Sequence, residues 1–487
     1  MKSFPVILFC LISSYLSSQE SWITTIETHL FERVFDIHEI PNGNYLAVGR
    51  RELSPGSECY AFLLEISRDG EIIKEQDIFI QDSSTSLHQF IEINDTSFAM
   101  IGLISSDSND GNDIWIVHFN YDFEIIQQNK LHSFPTFPYG DFRAKFISNG
   151  NLLVNGFVVD ENLMNADIFF YETNKNGDSI SSALIEMESM QLAYEFLERK
   201  NGLGYYVYAN GVFPVDPPVP GISDEVLFDT NFNYISDDSI PRLITNTMNA
   251  KWLSNNAYLI SGKEYYHNPW YCNMGILKLN SDDQVLNENY FGLMPDTITY
   301  IGALDHLDFQ HPDTIYFAGI GNVLNEFPYQ SEPSWIILNC LDSNLNLRWQ
   351  TLYGGDAFYF SWEVYATSDG GCIVAASKYD YTQPEYDYDV VLLKYDNTGL
   401  LTGVPENGNQ MVKMSVYPNP GNDMIKIDND FENAVFQLFD ESGKIVSTTV
   451  LENGLNLINT GNFDSGIYVY VISIHQKPIS SGKWIKR

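Results

Sequence analysis

Apolar residues are distributed along this chain in short runs separated by turn residues, and one arrangement keeps returning. A turn residue followed by an apolar run that closes on or beside a small residue occurs at Asn42–Gly49, Thr96–Leu103, Asn149–Gly156, Gly204–Gly211, Asn256–Gly262, Asp313–Gly319 and Gly370–Ser377. The starts are 52 to 57 residues apart. That is too regular for unrelated strands, so the chain is read as seven repeats of one unit.

A second element follows each copy in phase: a run rich in Ile, Val, Leu and Phe, then a turn, then another strand. Examples are Ala61–Ile73, Asp113–Ile126, Asp167–Ile180 and Asp389–Leu401. Several of these turns carry Asp-Gly, Asn-Gly or close relatives, which accept positive φ at low cost and predict tight hairpins. Another apolar alternation precedes the small-residue element, as in Arg33–Ile40, His88–Asn94 and Trp362–Thr367. Each repeat therefore holds four strands. Four antiparallel strands repeated seven times, almost without helical periodicity, predict an all-β chain whose sheets stand radially round an axis. This is a β-propeller of about seven four-stranded blades. A β-solenoid would need much shorter coils. The stretch Ser21–Leu30 holds the phase of Leu347–Asp356 in a later repeat, so residues 22–28 are expected to form the outer strand of the last blade and close the ring.

Composition agrees: 44% hydrophobic and 18% charged residues, with 30 Tyr and 31 Phe, describe a folded β-rich chain of 487 residues. The net charge of -38 would repel nucleic acid and anionic lipid, so no nucleic-acid partner is expected. The excess is uneven. From Lys413 onward the chain has 7 basic and 8 acidic residues, and before Gln19 the single basic residue is Lys2. That step sets a domain boundary near residue 410.

At the N-terminus, Lys2, an apolar run from Phe4 to Leu16 and the polar Gln19-Glu20 have the layout of a secretory signal peptide, assigned to residues 1–18. Bulky Phe9 before Cys10 argues against lipidation there. No later stretch is apolar over the roughly 20 residues of a membrane-spanning helix. The expected organisation is signal peptide 1–18, propeller 19–404, linker 405–413 and a C-terminal domain 414–487. Cys59, Cys272, Cys340 and Cys372 remain after cleavage; they are widely spaced, and buried free thiols and a disulfide are both open readings.

The unit ending in Trp-x-x-x-Tyr-Gly-Gly, best seen in Arg348–Ser377, with Asn109–Asn120 a second good copy, resembles the propeller repeats of secreted Bacteroidetes proteins. The resemblance covers about residues 21–404, although blades one, four and five depart from it, and it carries no catalytic residue. The C-terminal stretch has short alternating strands in Val416–Ile427, Val435–Val446 and Leu457–Ile472 and a basic end at Lys483–Arg487, consistent with a small immunoglobulin-like β-sandwich. It resembles the type A sorting domain of the type IX secretion system. The matching residues are Tyr417, Pro418, Asn419 and Pro420, the turn at Gly443, then Gly466 and Tyr468, and the basic Lys483 and Lys486. Gly466 is expected to permit a tight turn before the Tyr468 strand. The resemblance implies export across both membranes, the secretion machinery as a partner, and a mature protein that is released or held at the cell surface after the tail is removed.

Catalytic patterns are missing: there is no HExxH, GxSxG, phosphate-binding loop or paired CxxC. His38-Glu39 is followed by Ile-Pro-Asn, and proline precludes a zinc-binding helix. The turns joining second to third strands, and blade to blade, are long and belong on one face, where a rigid scaffold usually presents its binding surface. They are rich in rings and acids. Tyr265, Tyr266, Trp270, Tyr329, Tyr359, Tyr379 and Tyr381 are the candidate ligand-binding residues, since rings cover apolar sugar faces while carboxylates accept hydroxyl hydrogen bonds. The same rings can instead pack between blades. Asp107, Asn109, Asp110 and Asp113 offer Ca²⁺ ligands without EF-hand spacing; no other cofactor is expected. The leading reading is a non-enzymatic glycan- or protein-binding module. The alternative is a secreted glycan-active hydrolase or lyase, which a deep acidic pocket at the channel mouth would favour and a plugged channel would oppose.

Overall fold

The computed structural model describes residues 21–401 and 416–487, apart from 54–56, 95, 106–111, 132–137, 160–165, 188–190, 201, 214–218, 241–243, 268–269, 293–298, 302–304, 324–330, 384–387, 430–433, 441–444 and 475–476. The expected signal peptide and linker lie outside the described residues. The chain divides into two compact units, Met1–Val404 and Pro405–Arg487, and among the described residues every regular element is a β-strand.

The first unit is a propeller of seven antiparallel blades. Blade 1 runs from its innermost strand Phe31–Glu39 through Tyr45–Glu52 and Cys59–Ile66 to the outer Ile72–Ile78. Blades 2 to 6 follow with the same order, and in blade 6 two short pieces, Thr299–Ile301 and Leu307–His311, share the innermost position. Blade 7 takes three strands from Phe358–Tyr395 and its outer strand from the other end of the chain. Trp22–Ile26 lies antiparallel to Asp389–Tyr395, with Trp22 opposite Lys394 and Ile26 opposite Val390.

The unbroken apolar runs of the second and third strands follow from burial on both faces. Leu46 and Val48 pack toward blade 2, while the intervening Tyr45 and Ala47 pack toward blade 7. A doubly covered sheet needs no polar alternation. Each adjoining pair of blades has its own apolar cluster of this kind, so the core is a ring of seven seams rather than a single centre.

The turns between third and fourth strands are short hairpins held by a side chain at their first position. Asn120 Oδ1 accepts hydrogen bonds from the backbone N–H of both Asp122 and Glu124, at 3.0 and 2.9 Å. Asn174, Asp229, Asn280, Asp342 and Asp396 repeat the device. The side chain satisfies two backbone donors and so holds the turn. Three residues further on, φ is positive, and in three blades the residue there is Phe123, Phe232 or Leu345, all buried. The left-handed conformation costs about 1–2 kcal/mol; burying such a side chain contributes about 1.5–3 kcal/mol and offsets it.

The second unit holds two sheets. Val416–Tyr417, Met424–Asn429 and Gly454–Asn459 form one; Ile445–Val450, Ala434–Phe439, Gly466–Ile474 and Lys477–Lys486 form the other. Ile425, Ile427 and Ile458 from the first meet Phe436, Leu438, Ile472 and Trp484 from the second in one core.

Candidate functional site

The recurring small residue of the second strand has a steric cause. In blade 1 the innermost strand bulges between Val34 and Asp36, which drives the carbonyl of Arg33 to within 1.7 Å of where a Cβ of Gly49 would stand. Blade 2 repeats this, with Ser86 O 1.8 Å from the same point of Gly102. A bulge turns two successive side chains to one side of a strand. Here they face the axis: Phe35 with Asp36 in blade 1 and His88 with Gln89 in blade 2 line one cavity together with Phe142, Arg143, Asp305 and Glu363.

The second residue of each bulge, or its counterpart, forms a polar ring of Asp36, Gln89, Arg143, Glu195, Asn249, Asp305 and Glu363, at intervals of 52 to 58 residues. Much of it is spent on binding blade to blade. Glu363 Oε2 accepts from Ile37 N at 2.8 Å, Asp36 Oδ2 from Phe90 N at 2.6 Å, and Gln89 both accepts from Ala144 N and donates to Ala144 O at 2.8 Å. Lys145 Nζ donates to Glu195 at 2.7 Å and to Ala250 O at 3.2 Å. Asn249 bonds Asp305, Lys251 pairs with Asp308, and Asp308 accepts from Ala366 N at 2.7 Å. The sequence reading did not single out this ring; its signal is a polar residue recurring once per repeat inside the first alternation.

Electrostatics follow from burial. Desolvation raises Glu363 well above the usual carboxylate range, and the Asp36 and Asp305 carboxylates push it further, which favours its protonated form. Burial would lower His38, but the Asp36 carboxylate and its hydrogen bond win, and its pKa rises. Burial, with help from Arg50 and Arg143, depresses His88 to about 3, leaving a neutral ring. That ring stacks on Phe35 at 4.5 Å and meets Phe142 at 5.4 Å, while Phe35 meets Trp362 edge-on at 5.6 Å. Donor atoms of Asp36, His38 and Glu363 lie within 4.8 Å of one another, close enough for a cation. Asp36 and Glu363 are already committed to backbone donors, and His38 Nε2 lies 3.2 Å from Asp36 Oδ1. The cavity encloses about 20 Å³, room for about one water.

The ring residues proposed for ligands are distributed otherwise than expected. Tyr359 and Tyr379 lie in strands, not loops, and are 1% and 5% exposed. Tyr359 packs in the seam between blades 6 and 7 and donates to Asp356 at 3.0 Å. Tyr379 joins Phe31, Phe358 and Tyr388 in an aromatic cluster against which the partly buried Tyr381 rests. Tyr265, Tyr266 and Trp270 sit at the tip of a blade 5 hairpin that extends further than a loop would, with Tyr265 opposite Cys272 and Trp270 opposite His267. Tyr329, Asp107, Asn109 and Asp110 lie outside the described residues. All four cysteines are free, and Cys272, Cys340 and Cys372 are buried.

In the second unit, the motif at Tyr417–Pro420 and the basic chain end, remote in sequence, are laced together. Trp484 Nε1 donates to Pro418 O at 2.9 Å; Asn419 donates to Lys483 O at 2.6 Å and accepts from Ile485 N at 3.0 Å. Lys486, buried along its stem, donates to Asn422 O at 2.6 Å, whereas Lys483 is exposed. Tyr468 is buried and donates to Asp464 O at 2.8 Å. Gly466 does not make the expected turn. It begins a strand opposite Lys486 with open space where a Cβ would be, and the turn falls earlier, at Thr460–Phe463. Gly443 lies outside the described residues.

A seven-bladed propeller followed by a secretion tail is the class of protein these features define. Residues 415–487 match the family described as the secretion system C-terminal sorting domain, which marks the chain for export by the type IX system, to the cell surface or beyond it. No curated protein matches the sequence. Similar solved structures include the β-propeller domain of the Trilobed protease from Pyrococcus furiosus, at 9% identity over 77% of this chain and 99% of that one with a TM-score of 0.41. A DUF4221 family member from Bacteroides vulgatus is similar at 11% identity over 77% and 96% of the two chains, with a TM-score of 0.36. The WD40 domain of SCAP from fission yeast is similar at 9% identity over 74% and 82%, with a TM-score of 0.37. Among the described residues no helix is long and apolar enough to cross a membrane.

Proposed function

We propose that the propeller is a non-enzymatic module that binds an extracellular glycan or protein after export. The observation that carries this reading is the commitment of the axial carboxylates. Asp36, Glu195 and Glu363 are each bonded to a backbone N–H or a lysine of an adjoining blade, and Asp305 to Asn249; Asp36, Asp305 and Glu363 stand around a cavity of about 20 Å³. Glycoside hydrolysis needs two carboxyl groups roughly 5–9.5 Å apart with the scissile bond between them. A carboxyl that ties blades together beside a space for one water has no substrate to act on. Binding then falls to surface groups held by the rigid blades, and removal of the tail leaves the propeller released or attached outside the cell.

The test is a glycan-array screen of the full chain with and without Ca²⁺. Selective retention of one glycan class supports the reading. Turnover of a defined polysaccharide that is abolished by Asp36→Asn or Glu363→Gln would overturn it.

A further inference from the structure

We infer that the propeller carries a saccharide cleft between blades 6 and 7, on the face of the short turns and sized for one sugar ring. This rests on the glycan half of the proposed function and gives it a site. The cleft encloses about 270 Å³, just under the ~300 Å³ at which small-molecule sites usually begin, so a single ring fits and an extended chain does not. It opens because the first turn of blade 6 is tight, with His311 directly opposite Thr314, while the corresponding turn of blade 7 is the wider Thr367–Gly371.

Its floor is the half-buried indole of Trp349, which rests on Tyr316, a ring sealed in the seam at 1% exposure. Trp349 and Tyr316 lie with centroids 6.0 Å apart and planes at 48°. Tyr316 is anchored by its hydroxyl, which donates to Gly370 O at 2.5 Å, and Trp349 by its indole N–H, which donates to Asn397 O at 3.1 Å. The immobilised indole presents apolar area with no further entropy to lose, which suits the C–H face of a hexose.

The rim carries polar groups with capacity to spare. His311 Nδ1 accepts from Asp313 N at 3.2 Å, so the ring proton sits on Nε2 as a donor. Gln310 donates to Ala366 O at 2.9 Å and keeps its amide oxygen for a hydroxyl. Asn397 lends only its backbone carbonyl to Trp349, leaving its exposed side-chain amide. The charge of Arg348 is answered by Asp313 at 2.5 Å, so the cleft favours a neutral sugar.

The experiment titrates the full chain with the methyl glycosides of glucose, galactose and mannose, read by saturation-transfer NMR and calorimetry, for the native protein and the His311→Ala/Asn397→Ala variant. Both side chains are exposed, and an unchanged melting temperature verifies that the variant is folded. At least one glycoside should bind the native protein, with affinity reduced about tenfold or more in the variant, a loss of roughly 1.4 kcal/mol. Equal binding by both proteins overturns the cleft and leaves the glycan reading standing, with its site elsewhere. If none of the three glycosides binds the native protein, the cleft is overturned, and the glycan array separately decides the broader reading.

Discussion

The indole of Trp22 lies so close over Gly70 that a Cβ there would stand 2.7 Å from the ring, and its N–H donates to Arg68 O at 2.7 Å. Trp22 belongs to blade 7 and Gly70 to a turn of blade 1, so the contact locks the chain's start into the closed ring. Blade 6 repeats it against blade 7, where Trp349 bonds Asn397 O and covers Gly399 at the same 2.7 Å.

Trp22→Ala should therefore loosen the ring at its seam. Removing a buried Trp typically costs about 3–5 kcal/mol, and the expected result is a lower melting temperature with early proteolysis in residues 21–30. Gly70→Ala should cost about 1–3 kcal/mol, because φ is +88° there and Trp22 must also move. Thermal denaturation of each variant checks both.

Gly49→Ala should be among the most damaging single changes in the propeller. The methyl group would meet a backbone carbonyl at 1.7 Å, so the bulge that aims Phe35 and Asp36 at the axis cannot survive. A loss of about 4 kcal/mol or more places it in the exceptional class of substitutions, to be seen as insolubility or a large drop in melting temperature.

Stability should depend on pH through Glu363. Its folded pKa is raised by burial and then by Asp36 and Asp305. The folded state therefore keeps a proton that the unfolded chain releases near the ordinary carboxylate value, and stability falls as pH rises from there toward the folded pKa. Glu363→Gln mimics the protonated form. Urea unfolding from pH 4 to 9 should show a flatter alkaline limb for this variant than for the native protein, and an unchanged slope would sink the assignment.

Export should depend on the lacing between the two ends of the tail. Asn419→Ala removes hydrogen bonds to Lys483 and Ile485, each worth about 1 kcal/mol, and should shift protein from the medium or cell surface to the periplasm. Gly466→Ala is the matched control: φ is not in the left-handed region and the space is open, so fractionation of the cells should show normal export.

Much of the architecture was legible because a repeat multiplies weak signals. The apolar runs, their phase and the displaced first strand together imply seven blades and a closed ring. The small residue at Gly49 and Gly102 was visible as a pattern, but its reason was not, since it answers a carbonyl on another strand. What holds some of the turns was hidden for a related reason. Asn120 and Phe123 are poor signals of a tight hairpin, and only burial of the Phe123 ring between blades makes its positive φ tolerable.

By itself the sequence determined the repeat, the blade count, the acidic character of the propeller and the motifs of the secretion tail, because each is written in local order and composition. The tertiary structure decided which rings are core and which lie at the surface. Tyr359 and Tyr381 look alike in the chain, yet one is sealed in a seam between blades and the other rests only partly buried on an aromatic cluster. It also decided that the axial carboxylates are fasteners, and that Trp349 lines a cleft while Tyr316 is sealed beneath it. Those roles depend on distances between strands more than fifty residues apart in some cases, and a residue's identity does not encode what the fold will bring beside it.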